Sequence, residues 1–275
     1  MHPGDLVTEL EPEPARSPPP TAPEELELAW RRRFEAELAE HRLAQVAETE
    51  RQRQELLAIL AHELRNPLQP LQTAIEVMEH DPDKPVPERI REIIKSQVQL
   101  LTRLIDDLLD VTKFTSGKLE LRRAPITLDA VVDEAVASTR TVIEARKHAL
   151  EIGSRDQVRV HGDTVRLVKC LVNLISNAAK HTPIGGRIQV AFGSDKGEAF
   201  MRVTDNGKGI APELLPSIFE MFVPERVTPD GAGGLGLGLG LVRRLVELHG
   251  GTVHASSGGE GLGSVFEIRL PASET

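Results

Sequence analysis

GGLGLGLGLV, residues 233–242, alternates glycine with leucine for most of its length. Leucine at every second place marks a strand. Glycine weakens strands, however, and signals either a flexible linker or a bare backbone that a ligand approaches. The residues that follow separate these readings. Leu241, Val242, Leu245, Val246 and His249 continue at helical spacing, so the stretch is a loop running into a helix. Its glycines leave backbone N–H groups open at a helix N-terminus, where the dipole favours an anion. Strand patterns flank it, at 187–192 and 199–204 before and at 252–255 and 264–270 after. Further upstream lie a helix at 129–145, strand-like segments at 148–152 and 157–160, and a helix at 163–181. Helices and strands mixed without strict βαβ alternation predict an α+β fold, with a two-layer α/β sandwich over residues 126–273.

The first half of the chain is different. Residues 1–25 hold seven prolines with few apolar side chains, a composition expected of a disordered tail. Residues 26–54 are rich in Glu, Arg, Ala and Leu and predict a charged, coiled-coil-like helical lead-in. Between 55 and 118 two apolar stripes recur at spacings of three and four. One runs through Leu57, Leu60, Leu64, Leu68, Leu71, Ile75 and Met78, the other through Ile90, Ile94, Val98, Leu101, Ile105 and Leu108. Asp81-Pro82-Asp83-Lys84-Pro85 breaks them apart. Two stripes make a helical hairpin, which buries them most simply against a second copy as a dimeric four-helix bundle.

The chain has 275 residues and a formal net charge of −9, which argues against nucleic acid as a partner. The single cysteine, Cys170, excludes an internal disulfide and lies in an apolar helical pattern that predicts an inert buried thiol. No run of about 18 apolar residues or signal-like N-terminus is present, so the expectation is a cytoplasmic protein without a membrane segment.

AHELRNPL, residues 61–68, places His62 away from the leucine stripe, at roughly 140° when Leu57 is set to zero and the stripe centres near 330°. Asn66 lies one turn on in nearly the same direction, Glu63 is adjacent, and Pro67 predicts a bend just after the histidine. An exposed histidine is usually a plain surface residue. It is also a neutral nucleophile when a carboxylate holds its other ring N–H. The spacing leaves both readings open.

In DTVRLVKCLVNLISNAAKHT, residues 163–182, Asn173, Asn177 and Lys180 share a helix face apart from the apolar one. That face is either a solvated stripe or a site for Mg²⁺ and phosphate, since Mg²⁺ takes oxygen ligands and lysine adds a point charge. DNGKGI, residues 205–210, follows a strand, so it is either a turn or a loop whose fixed carboxylate, Asp205, accepts from an exocyclic amine. IFEMF, residues 218–222, places Phe219 and Phe222 in a loop-like region, as a small satellite core would.

Taken in order, these segments resemble the boxes of bacterial sensor histidine kinases. AHELRNPL is similar to the phosphoacceptor box. NLISNAAKHT, DNGKGI, IFEMF and GGLGLGLGLVRRLVELHGG are similar to the asparagine, first glycine, phenylalanine and second glycine boxes of the ATP-binding domain shared with gyrase-type ATPases. The resemblance covers about residues 50 to 271 and implies ATP and Mg²⁺ as cofactors. It makes His62 the phosphoacceptor, Glu63 its general base or orienting acid, and Asn66 the residue that positions water for dephosphorylating a response regulator. It assigns Asn177 to Mg²⁺ with Asn173 assisting, Lys180 to phosphate and Asp205 to adenine. His181, Gly207, Gly209, Gly234, Gly236, Leu237, Gly238 and Leu239 complete the nucleotide site. The lid between Ile210 and Gly233 departs from the pattern: it is short, and Arg226 is its one basic residue. The implied activity is autophosphorylation of His62 and transfer to an aspartate of a response regulator. Other readings are a nucleotide-binding dimeric scaffold without turnover, and an ATPase or serine kinase of the same fold.

Overall fold

The computed structural model describes residues 23–80, 85–115, 119–153, 158–221 and 236–273. The chain divides into two compact units, one ending at Glu55 and one beginning at Leu56. Helix α1 (Pro23–His80) supplies every described residue of the first unit. There Arg31 pairs with Glu27 at 3.0 Å, and the exposed Trp30 and Phe34 rings stack with centroids 5.9 Å apart. The expected tail, residues 1–25, lies outside the described residues up to residue 22, and its last three residues, 23–25, belong to α1 instead.

The second unit opens with the rest of α1 and with α2 (Glu88–Thr115). Pro67 and Pro70 stand inside α1, which continues past both rather than ending. A proline removes one backbone donor and crowds one turn, and the helix on either side survives this. The two stripes are only partly covered. Leu60 and Ala74 are buried, whereas Leu68, Ile75 and Met78 on α1 and Val98 and Ile105 on α2 remain exposed. One neighbouring helix cannot cover a whole stripe.

The sandwich follows as β1 (Ala124–Thr127), α3 (Leu128–Ala145), β2 (Ala149–Ile152), β3 (Arg159–Gly162), α4 (Thr164–His181), β4 (Arg187–Asp195), β5 (Glu198–Asp205), α5 (Leu237–Leu248), β6 (Thr252–Ser256) and β7 (Ser264–Pro271). The main sheet has the order β2-β4-β5-β7-β6, parallel only between β2 and β4. β1 pairs antiparallel with β3 in a separate two-stranded sheet.

Period two puts alternate residues on one face. Ile188, Val190 and Phe192 of β4, Ala199, Met201 and Val203 of β5, and Phe266, Ile268 and Leu270 of β7 are buried, and they pack with Leu128, Val131, Leu167, Leu171, Leu174, Leu241 and Leu245 of the helices. The other face carries charge, with Glu267 bridging Arg202 at 2.5 Å and Arg269 at 2.6 Å. Cys170 is fully buried, and burial pushes its thiol up to about 12, so it acts as packing.

Within this unit the sandwich is docked on its own hairpin. Arg166 and Lys169, near the start of α4, each reach Asp110 of α2 at 2.6 Å, and Lys169 also reaches Asp107 at 2.9 Å. Burial alone would raise the Asp110 carboxyl, but hydrogen bonds from Lys169 and Arg166 outweigh it and hold the group below its ordinary value. Burial would likewise lower Lys169, and the two aspartates raise it instead. Asp107 has Lys169 alone, and burial leaves it raised. The Arg244 guanidinium lies 4.9 Å from the centroid of the Phe114 ring, and Leu60, Val111 and Leu237 form a small apolar cluster with Met221.

Candidate nucleotide site and phosphoacceptor helix

Asp205 stands at the end of β5, where the alternation Ala199, Met201, Val203 turns it toward the core, and it is only 6% exposed. Sheet register sets Ser264 of β7 directly opposite. The Ser264 hydroxyl donates to Asp205 Oδ2, and the Gly207 N–H donates to Oδ1 at 2.8 Å. Each carboxylate oxygen keeps a lone pair for a further donor. Ser264 was not among the residues singled out above. Its signal was its inward position in the run Ser264, Phe266, Ile268, Leu270, where a hydroxyl needs a partner.

α4 ends beside this carboxylate. Asp163 caps its start, accepting from the Arg166 N–H at 3.2 Å, and the His181 carbonyl at its end accepts from the Lys208 N–H at 3.0 Å. Asn173, Asn177 and Lys180 are half-buried on one stripe of the helix. Asn173 Nδ2 approaches Gly238 O at 3.5 Å, so α4 meets the first turn of α5. Gly236 caps α5 in the left-handed conformation, φ 63°, and helix begins at Leu237. A side chain added at Gly238 would meet nothing closer than Asn173 at 3.8 Å, so the first turn of α5 is open there.

Gly209 and Gly263 are required by close approach. Both have positive φ, and a Cβ would fall 2.0 Å from Gly259 O in the first case and 2.0 Å from Asp205 O in the second. Phe219 packs edge-on against Phe266, with ring centroids 6.2 Å apart. Leu239 packs on the main core, but the Leu237 side chain enters the cluster with Leu60, leaving its backbone N–H as the group available to a ligand.

His62 and Glu63 lie within α1, and Leu60, two residues earlier, shares a small apolar cluster with Val111 of α2 and Leu237 at the start of α5. The start of α5 is therefore joined through this cluster to the turn of α1 that precedes His62. The side chains of His62 and Glu63 lie outside the described residues, and so do Gly234, Phe222 and Arg226. Asn66 is exposed on α1. Among the described residues no three His, Cys, Asp or Glu side chains gather into a metal site, and no helix is long and apolar enough to cross a membrane.

Residues 52–117 match the family model of the His Kinase A (phospho-acceptor) domain, and residues 162–274 match that of the histidine kinase-, DNA gyrase B-, and HSP90-like ATPase. The chain belongs to the sensor histidine kinases. It carries their transmitter module, the phosphoacceptor domain followed by the ATP-binding domain. It is 32% identical over 250 residues to the signal transduction histidine-protein kinase AfsQ2 of Streptomyces coelicolor, covering 86% of this chain and 45% of that one. Among solved structures it is similar to the Acinetobacter baumannii histidine kinase AdeS, with TM-score 0.59, 25% identity and coverage of 78% of this chain and 98% of that chain. It is also similar to the histidine kinase ThkA solved in complex with response regulator protein TrrA, with TM-score 0.57, 26% identity and coverage of 80% and 61%. The chain spans 25% to 50% of the length of the curated relatives it matches.

Proposed function

We propose that this sensor histidine kinase module transfers a phosphoryl group from ATP to His62 and then to an aspartate of a response regulator. The observation that carries the reading is the buried Asp205, held by Gly207 and Ser264 with acceptor capacity to spare, in one compact unit with the phosphoacceptor turn of α1. The residues present fit the nucleotide. Asp205 accepts from the exocyclic amine of adenine, which guanine lacks at that position. The N–H groups of Gly236, Leu237, Gly238 and Leu239 receive phosphate oxygens at a helix N-terminus, and Lys180 adds charge. Asn177, with Asn173 beside it, supplies the hard oxygen ligands that suit Mg²⁺. When bound, Mg²⁺ spreads the negative charge of the phosphates.

His62 attacks through one ring nitrogen. An N–P bond forms as the bond from the γ-phosphorus to the bridging oxygen breaks, ADP leaves with that electron pair, and the imidazole proton passes to Glu63. In the second step a carboxylate oxygen of the regulator attacks the phosphorus, the N–P bond breaks, and the leaving imidazole takes back a proton from Glu63, returning a neutral histidine. The complex of ThkA with a regulator protein supports that class of partner. Asn66, one turn from His62, holds water for hydrolysis of the regulator's acyl phosphate. The exposed remainder of the hairpin stripes, Leu68, Ile75 and Met78 with Val98 and Ile105, supports a dimer that completes a four-helix bundle.

Incubation with γ-labelled ATP and Mg²⁺ gives an acid-labile, alkali-stable label that His62→Ala abolishes. In the same assay with a labelled regulator, Asn66→Ala keeps the autophosphorylation rate and slows loss of label from the regulator. Absence of label on the wild type, or label that survives His62→Ala, would refute the kinase reading.

A further inference from the structure

The β6–β7 loop closes over the DNGKGI loop along a seam of backbone hydrogen bonds. The Gly261 N–H donates to Lys208 O at 2.7 Å, and the Gly263 N–H donates to Gly207 O at 3.1 Å. A side chain, that of Ser257, joins the same two loops. Its Oγ accepts the Ile210 N–H at 3.0 Å and donates to Gly263 O at 2.6 Å, while the Gly259 N–H approaches it at 3.3 Å. A hydroxyl has one proton and two lone pairs. The short contact to Gly263 O takes the proton, the two N–H groups take the lone pairs, and the Gly259 carbonyl at 3.3 Å is left as a secondary contact.

The place of this hydroxyl matters. The DNGKGI loop starts at Asp205, which Ser264 and Gly207 hold, and ends at Ile210, which Ser257 holds. Between them Gly209 touches Gly259 so closely that no Cβ fits. The two loops therefore share one shape, fixed at one end by Ser264 and at the other by Ser257. Ile210 is also the first residue of the lid segment.

We infer that Ser257 is a positioning residue of the nucleotide site, its hydroxyl fastening the β6–β7 loop to the start of the lid and so holding Asp205, Gly207 and Gly209 in the shape that receives adenine. The inference rests on the reading of Asp205 as the adenine contact. Removing the hydroxyl leaves the Ile210 N–H and the Gly263 carbonyl without this partner, and the loop loses its outer fastening.

Calorimetric titration of the full chain with ATP and with ADP tests this. Ser257→Ala weakens both nucleotides alike, by about tenfold, because the adenine end is common to them. Ser257→Thr, which keeps the hydroxyl, restores binding, and Ser256→Ala, at the exposed neighbouring position, leaves it unchanged. At saturating ATP the Ser257→Ala autophosphorylation rate stays near wild type while KM rises, a split that general loss of folded protein does not produce. In the free protein the Ile210 amide exchanges faster in Ser257→Ala than in wild type. Wild-type affinity in Ser257→Ala, or a Thr variant as weak as the Ala variant, overturns the inference. Failure of the wild type to bind either nucleotide overturns the site assignment itself, and the inference with it.

Discussion

A carboxylate at the end of β5 occupies a place where the strand's alternation calls for an apolar side chain. Burying Asp205 is costly unless its oxygens are satisfied, and two donors satisfy them, the Gly207 N–H and the Ser264 hydroxyl. Ser264→Ala removes one of the two. It should lower stability by about 1–3 kcal/mol, the usual cost of an unpaired buried polar group, and weaken ATP binding. Asp205→Asn should also weaken ATP binding while keeping the Ser264 hydrogen bond. Thermal melts and nucleotide titrations of the two variants check this, and unchanged affinity in both would remove Asp205 from the adenine site. Asp205 was legible in the sequence because strand alternation and the DNGKGI spacing coincide on it. The inward place of Ser264 was legible in the same alternation, but its pairing with Asp205 and the contacts of Ser257 were not, because they are set by strand register and loop closure, which no local spacing encodes.

At the scale of elements, His249 ties two helix ends together. Its Nε2 accepts the N–H of Asp163, the cap of α4, at 3.0 Å, and its Nδ1–H donates to Leu245 O of α5 at 2.7 Å. Burial lowers its pKa from the ordinary 6.5; the Leu245 hydrogen bond opposes this, Arg123 reinforces it, and Asp163 opposes it. The folded ring stays neutral where the unfolded one takes up a proton. Its contribution to stability is therefore complete above about pH 6.5 and is lost progressively as pH falls below that value. Melting temperature should drop between about pH 7.5 and about pH 5.5, and His249→Asn should flatten that drop while lowering the melting temperature throughout. An equally steep drop in the variant would assign the effect elsewhere. The helices α3, α4 and α5 and the strands β4, β5 and β7 follow their sequence periodicities closely. β1 was missed because Ala124–Thr127 includes Pro125 and pairs outside the main sheet, with β3. Leu68 and Leu60 belong to the same sequence stripe, yet one is 45% exposed and the other 8%, since burial depends on what lies opposite and not on spacing.

For the molecule as a whole, the joint between hairpin and sandwich includes a cluster of four charged side chains, Asp107, Asp110, Arg166 and Lys169. Asp110 is 5% exposed and accepts from both Arg166 and Lys169. Asp110 keeps Arg166 when Lys169 is removed, so Lys169→Met should destabilise the docked unit by about 1–3 kcal/mol, the range of a lost charged hydrogen bond, while leaving ATP affinity near wild type. Chemical denaturation paired with nucleotide titration checks both parts, and an equal loss of ATP affinity would place Lys169 in the nucleotide site instead. Arg166, Lys169, Asn173, Asn177 and Lys180 follow one another along a single stripe of α4, so the same helix grips the hairpin at one end and carries at the other the residues proposed above for the phosphates. Any preference a nucleotide has for the undocked arrangement must appear, by the same factor, as a nucleotide-induced loosening of the joint. Under the proposed nucleotide assignment, such a preference would make the occupancy of the ATP pocket and the freedom of the domain that carries it two readings of a single equilibrium, joined through α4.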